Sequence, residues 1–512
     1  MTVTLGSRTE RFQVGKALRR KTPREAHADL KGSMSRNAVA ILAESDPDRV
    51  PELVPERYAR MMVNPFAFLR GAAAVMATDL AAQPMAGIPV QAGGDSHLMN
   101  FGAFVTPEDN ILFDVNDFDE TLPGVDFTVD LKRLAASVAV AASAAGTNKK
   151  QARAIAAATV KAYRTHISAL AKLSPLEIWH SRIDLEQAIK QIGNSDLRRQ
   201  LVGVIAKARG EGLSMDDNFP HLVSGDHPKI VDKPPTIFHL DPKADARHRL
   251  GVERVFAAYR KGLNPDRQRL LDRFTMKDLA FKAVGVGSVG TFCCVALFMT
   301  DDNEPLFLQV KQAQRSVLER LGGKLAYKGN QGRRVVEGQQ MMQAASDIFL
   351  GSTQDDATGR QFYVRTLKNR RLGAVSEISE GEALSDYAQL CGRTLARAHA
   401  RSGDPAAIAG YTGKSDALDD AIASFATAYA DQTSADHAAL VKAKGTKPTA
   451  TKKAKATWSK GEPGSGPQDL DGVESSTRAA RKSGSGTFER SRPAPKMSAF
   501  MGRPEVTGIR SE

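Results

Sequence analysis

The glycine cluster Gly285-Val-Gly-Ser-Val-Gly290 lies inside the one clearly β-rich block of the chain, Leu279 to Val310. Its spacing matches Gly-x-Gly-x-x-Gly, and in a dinucleotide-binding fold that loop must open a helix. Here Thr291 to Thr300 is β-branched, aromatic and cysteine-bearing, so a strand follows instead. Val284 to Gly290 is expected to be extended as well. Strand, glycine turn and strand exclude a crossover fold and favour a backbone cradle for an anion over a bare turn. The turn Asp301 to Pro305 then leads into Leu306 to Val310, and Lys311 ends that strand.

The next elements keep a recognisable order. Arg334 to Ala345 has helical periodicity, and Phe349 to Ser352 and Arg360 to Leu367 read as strands around a polar turn. Lysine strand, helix and two strands is the order of a protein kinase nucleotide lobe, whose lysine grips phosphates and pairs with a helix glutamate. Glu337 is the preferred partner for Lys311, with Glu319 the competitor. The nucleotide-binding residues would be Gly285, Gly287, Ser288, Gly290 and Lys311. Tyr363 and Arg365 would lie at the adenine-binding hinge, near Tyr363 to Leu367.

A second constellation precedes this one. Gly93-Gly-Asp-Ser-His-Leu-Met-Asn100 is followed, after a hairpin of Phe101 to Val105 and Ile111 to Val115, by Asn116-Asp-Phe-Asp119. Phosphoryl transfer needs a carboxylate to accept the proton of the attacking hydroxyl, here Asp95. It also needs oxygen ligands for magnesium, here Asn100, Asp117 and Asp119, with Asp114 in reserve. His97 shapes the loop or reaches phosphate. Read blandly, Asp95 is a turn residue and Asp117 a loop cap.

These residues resemble the His-Gly-Asp-x-His-x-x-Asn and Ile-Asp-Phe-Asp motifs of aminoglycoside and choline kinase-like phosphotransferases, with Gly93 where those enzymes carry a histidine. Asp130-Leu131 resembles the buried pair that braces their catalytic loop. His399 resembles the histidine that ends the helix before that loop. The order along the chain is changed: the catalytic loop precedes the glycine loop by some 190 residues. The resemblance therefore implies an α+β, protein kinase-like two-lobed fold in circularly permuted order. A small β-rich nucleotide lobe would face a large helical lobe, with ATP and Mg2+ as cofactors. Over roughly residues 20 to 440 the chain also resembles the bacterial family known as domain of unknown function 2252. The residues that carry this include Asn64 to Gly71, Gly94 to Gly102, Phe113 to Thr121, Val284 to Thr291 and Ala396 to Asp404. That resemblance implies no substrate. Arg70, ahead of the catalytic block, is placed to meet phosphate, to brace Asp95 or to pair with a structural acid.

The expected organisation is a basic extension over 1–46 and a helical lobe over 47–227, with Val50 to Ala82 helical. A connection over 228–278 leads to the nucleotide lobe over 279–367. Helices over 368–440 complete the large lobe, and 441–512 form a disordered basic tail. The formal charge of +13 is misleading until it is located. The tail holds about 15 basic and 7 acidic residues, roughly +8 of that total. It is rich in Lys, Gly, Ser and Pro and cannot bury enough apolar surface to offset its ordering entropy. Nucleic-acid contact is expected to be weak and confined to it. The apolar run Leu134 to Ala145 falls short of the ~18 residues of a membrane span, so no membrane is expected. The first residues lack the apolar core of a secretion signal, so none is expected. Three cysteines, two adjacent, give neither a disulfide framework nor metal-ligand spacing, so a reducing cytoplasm is expected.

The leading expectation is ATP-dependent phosphotransfer to an unknown hydroxyl acceptor, small molecule or protein. Nucleotidyl transfer in the same fold and a nucleotide-binding scaffold without turnover are the alternatives. A hydrolase using Ser96 would need a base that no suitable histidine supplies.

Overall fold

The computed structural model describes residues 6–30, 36–210, 220–223, 228–234, 236–239, 251–283, 285–367 and 381–445. The expected tail beyond 445 lies outside them, as does Val284. The protein is mixed α+β, with separate apolar cores in a helical body and on an antiparallel sheet.

At the centre of the body is the helix Phe127–Ala144, fifteen of whose eighteen residues are buried. Its apolar residues fall on every side, which favours burial all round, and the charged residues buried with them, Asp130, Lys132 and Arg133, are met by partners from neighbouring elements. The helices Lys149–Leu170, Gly381–Ser402 and Ala417–Lys444 pack around it. Small residues set the approach: a Cβ on Gly392 would lie 2.5 Å from the Thr159 carbonyl oxygen. Among the described residues no helix is long and apolar enough to cross a membrane.

Set into this body are β1 (Pro89–Ala92), β2 (Phe101–Val105), β3 (Ile111–Val115) and β4 (Leu122–Asp126). β2 and β3 form the expected hairpin, and β1 pairs antiparallel with β4. β5 (Leu222–Val223) and β6 (Lys229–Ile230) make a two-residue ladder. The large sheet contains β7 (Ile237–Phe238), β8 (Thr275–Lys282), β9 (Cys293–Met299), β10 (Pro305–Gln312), β11 (Gly351–Asp355) and β12 (Arg360–Thr366). Its order is β11-β12-β10-β9-β8-β7, antiparallel throughout. The helix Gln331–Met342 lies between β10 and β11 in sequence.

Period-2 alternation divides the sheet's faces. Cys294, Ala296, Phe298, Leu308, Val310, Phe362 and Val364 pack with Phe256 and Tyr259 of the helix Val252–Gly262. On the other face Val295, Leu297, Met299 and Phe307 meet Ile230 and Ile237. The same face then turns polar, with Gln309, Lys311, Tyr363 and Arg365 all buried.

Several expectations are corrected. Residues 285–290 are not a strand: β8 ends at Lys282, and Gly285 and Gly290 have φ of +69° and +85°, which break a strand. Val50 to Ala82 is a 3-10 turn, Pro51–Leu53, followed by three α-helices, Val54–Met61, Pro65–Gly71 and Ala73–Leu80. Pro65 cannot continue a helix but begins one well, with Asn64 as its N-cap. The segment expected as an N-terminal extension instead packs the helix Arg8–Leu18 on Pro405–Thr412. Gly15 and Gly410 each sit against the other helix's backbone. The last helix runs to Lys444, four residues into the expected tail, because Leu440 is still buried against the body.

Candidate functional site

The turn after β1 is held by one buried carboxylate. Gly93 and Gly94 donate their amides to Asp130 at 2.7 and 2.9 Å. Gly94 has a φ of +85°, and a Cβ there would lie 2.6 Å from the Glu120 carbonyl, so only glycine fits. His399 Nε2 lies 3.2 Å from Asp130, and Tyr163 hydroxyl lies 2.9 Å from His399 Nδ1. With Nε2–H facing the carboxylate, Nδ1 accepts from the tyrosine. Three helices are thereby tied to the loop.

Past that turn, Asp95 Oδ1 accepts from Arg133 Nε and Nη2 at 2.9 and 2.6 Å. Its Oδ2 lies 3.6 Å from His97 Nε2. His97 Nδ1 accepts from the Met99 amide at 3.1 Å. Burial pushes the His97 imidazole down to about 4, so it is neutral at pH 7. Asn100 Nδ2 donates to the Asp95 carbonyl at 2.7 Å, which identifies Oδ1 as the side chain's acceptor end. Ser96 Oγ is buried without a hydrogen-bond partner, which disfavours it as a nucleophile.

The acids after the hairpin separate by environment. Asp114 is fully buried and takes Arg397, the Ala344 amide and its neighbour's amide, so it is not available to a cation. Asp117 and Asp119 line a cavity of about 610 Å³ with Asp95, His97 and Asn100. Asp119 Oδ2 meets the Lys311 ammonium, with Ser288 Oγ at 3.3 Å, and Tyr363 hydroxyl donates to its Oδ1 at 2.7 Å. Burial works against the Lys311 charge, but Asp119 holds the ammonium well above its usual range.

The sheet explains why these groups converge. Lys311 is opposite Tyr363 on β12 and Cys293 on β9, so the three share one face. Arg365, one rank on, donates to Gln309 Oε1 at 3.0 Å. Neither Tyr363 nor Arg365 offers a free backbone edge: β12 is paired on both sides, and Leu367 donates its amide to Phe307. The hinge expected near Tyr363 to Leu367 is thus sheet backbone, and the following residues are outside those described. Gly285, Gly287 and Ser288 line the cavity, and Gly290 anchors the loop by accepting from the Val50 amide at 2.7 Å.

Glu337 is not the partner of Lys311. It is exposed and pairs with Arg333 at 2.7 Å, one turn away. Glu319 is bound by Arg315. Charged polar groups spaced four apart on a solvent face meet each other rather than the interior. The same helix contributes Arg334 instead, which is buried. It donates to the carbonyls of Thr121, Asp119 at 2.9 Å and Gln314 at 2.8 Å. This clamps the acidic loop to the end of β10, and adjacent arginines gave no sign of which one turns inward. Arg133 was missed too, although it lies one helical turn after Asp130 and so shares its face. Glu120, next to Asp119, accepts the Val317 amide at 2.7 Å, and burial pushes its carboxyl up to about 7.

Among the described residues no three His, Cys, Asp or Glu side chains gather as a metal-binding group. The family described as "Uncharacterized protein conserved in bacteria (DUF2252)" matches residues 49–443. No curated protein and no solved structure matches the chain.

Proposed function

The chain belongs to this bacterial family, and since its description assigns no activity, we propose on geometry that the protein transfers a phosphoryl group from a nucleoside triphosphate, ATP, to a hydroxyl. One observation carries this reading. Asp95, Asp117, Asp119 and the glycine loop line one cavity, with the Lys311 ammonium on Asp119, although the two blocks are far apart in sequence.

Each residue then has a role. The glycine-loop amides and Lys311 hold the donor's phosphates. As the acceptor oxygen bonds to the γ-phosphorus, its proton passes to Asp95 Oδ2. The bond from that phosphorus to the β–γ bridging oxygen breaks, releasing nucleoside diphosphate. Arg133 fixes Asp95 through the other oxygen. Asn100 Oδ1 and Asp117 are hard oxygen donors lining the cavity, so they would hold a magnesium ion there, and Asp119 would join them by exchanging its Lys311 and Tyr363 contacts for the metal. Bound there, it would neutralise phosphate charge.

A permuted, kinase-like arrangement agrees with two further features. The sequence β10, helix Gln331–Met342, β11, β12 follows the order of a nucleotide lobe. The end of the helix Gly381–Ser402 adjoins β1, where Gln91 donates its amide to Ser402 Oγ at 3.2 Å. Joining the chain there would restore the usual order. Such rearrangement is tolerated because contacts, not connectivity, assemble a site. A scaffold would not need the Arg133-braced Asp95.

The test is Asp95→Asn. Loss of the base should lower transfer by about 10²–10⁴-fold, while affinity for a magnesium–nucleotide analogue stays within about threefold. Full activity in this variant would refute the assigned role.

A further inference from the structure

Two arginines line the cavity, and neither forms an ion pair among the described residues. Arg49 donates through Nη1 to the Val289 carbonyl, and its Nε and Nη2 reach only Ser45 Oγ, at 3.4 Å. Burial pushes its guanidinium down to about 10, and the neighbouring Arg57 adds to this. Arg57 itself is matched by Asp46 at 2.8 Å. Arg70 is more isolated. Its Nε is buried without a hydrogen-bond partner, and burial lowers its pKa, with Asp95 the opposing influence. Both side chains line the cavity that also holds Asp95 and Asn100. The glycine loop reaches the same wall, since a Cβ on Gly287 would stand 3.2 Å from the Arg70 carbonyl.

A guanidinium withdrawn from water is costly unless an anion completes it. Its planar fork of donors matches the oxygens of phosphate or carboxylate. The donor nucleotide's phosphates are already assigned to Lys311 and the loop amides. The two arginines are left for a second anion, and Arg70 lies close enough to feel the charge of Asp95, where an acceptor hydroxyl would sit. We infer that Arg49 and Arg70 form an oxyanion subsite for a phosphate or carboxylate carried by the acceptor. The acceptor is then an anionic small molecule. This assignment rests on the phosphotransfer reading, whereas the anion subsite itself does not.

Calorimetric titration with inorganic phosphate, and separately with a non-hydrolysable ATP analogue plus magnesium, tests it on the full chain. Arg70→Gln and Arg49→Gln should each weaken phosphate binding by about tenfold or more. Analogue affinity should change by less than about threefold. Arg70→Lys and Arg49→Lys, which keep the charge, should restore part of the phosphate affinity, and melting curves confirm that each variant is folded. Unchanged phosphate binding in folded Arg70→Gln overturns the subsite. Parallel loss of analogue affinity gives the anion to the donor nucleotide, which overturns the acceptor assignment but spares phosphotransfer. Arg70-dependent phosphate binding with no nucleotide binding supports the subsite and sinks the transfer reading.

Discussion

The Lys311 ammonium rests against the Asp119 carboxylate, joining two points 192 residues apart in the chain. Lys311 is the penultimate residue of a strand of the large sheet, whereas Asp119 sits in the loop after a hairpin in the helical body. Tyr363 and Ser288 complete the carboxylate's surroundings. The contact holds the sheet to the body and places the lysine proposed to grip phosphate beside the proposed magnesium ligand.

The two partners are unequally buried, with side-chain exposures of 5% for Lys311 and 23% for Asp119. Asp119→Asn strands a buried ammonium and should cost about 3 kcal/mol. Lys311→Met leaves a partly exposed carboxylate with two hydroxyl donors, Tyr363 and Ser288, and should cost roughly half as much. Urea denaturation of both variants decides the matter. A larger loss in Lys311→Met would mean that the lysine's burial is not what the pair compensates.

Arg334 and Glu337 share a helix but not a fate. Arg334→Ala removes the clamp on Asp119, Thr121 and Gln314 and should destabilise by about 3 kcal/mol. It should also weaken nucleotide binding. Glu337→Ala breaks an exposed pair with Arg333 and a long 3.4 Å bond from the Tyr327 hydroxyl, and should stay within about 0.5 kcal/mol. Loss of nucleotide binding in Glu337→Ala would restore the glutamate to the site.

Glu120 should give stability a pH dependence. Its carboxyl is raised from 4.5 to about 7, so the folded protein keeps a proton that the unfolded chain has released. Stability from this group is complete below pH 4.5 and is lost as pH rises through 7, by up to about 3 kcal/mol. Glu120→Gln keeps an acceptor for the Val317 amide and should abolish that decline. Denaturation curves of both proteins at pH 4.5, 6 and 8 make the comparison. Parallel pH dependence would assign the proton to another group.

Gly15 tests whether the first helix belongs to the body. A Cβ at this position would come within 1.9 Å of the Ala407 carbonyl oxygen. Gly15→Val should force the helices apart and cost about 1–3 kcal/mol, visible as a lower melting temperature. An unchanged melting temperature would show that this contact contributes little.

Local chemistry made much of the architecture readable before any fold was known. Alternating apolar residues around a turn cluster specified the hairpin of β2 and β3, and strand-forming residues after Gly290 fixed a strand where a dinucleotide fold needs a helix. Residue type, spacing and a resemblance to phosphotransferase motifs gathered Asp95, Asn100, Asp117, Asp119 and Lys311 as the residues of interest. Pairing was another matter. Sequence order favoured Glu337 for Lys311, but which face of a helix turns inward depends on what packs against it. Here Arg334 took the buried side, and Asp119 became the lysine's partner. Asp114 and Asp117 look alike in a string of letters; Arg397, arriving from a distant helix, made one structural and left the other in the cavity. The chain could declare which groups it carries, because composition and period are local. Their partners were decided by tertiary packing, because a buried charge takes the counter-charge nearest in space, whatever its distance along the backbone.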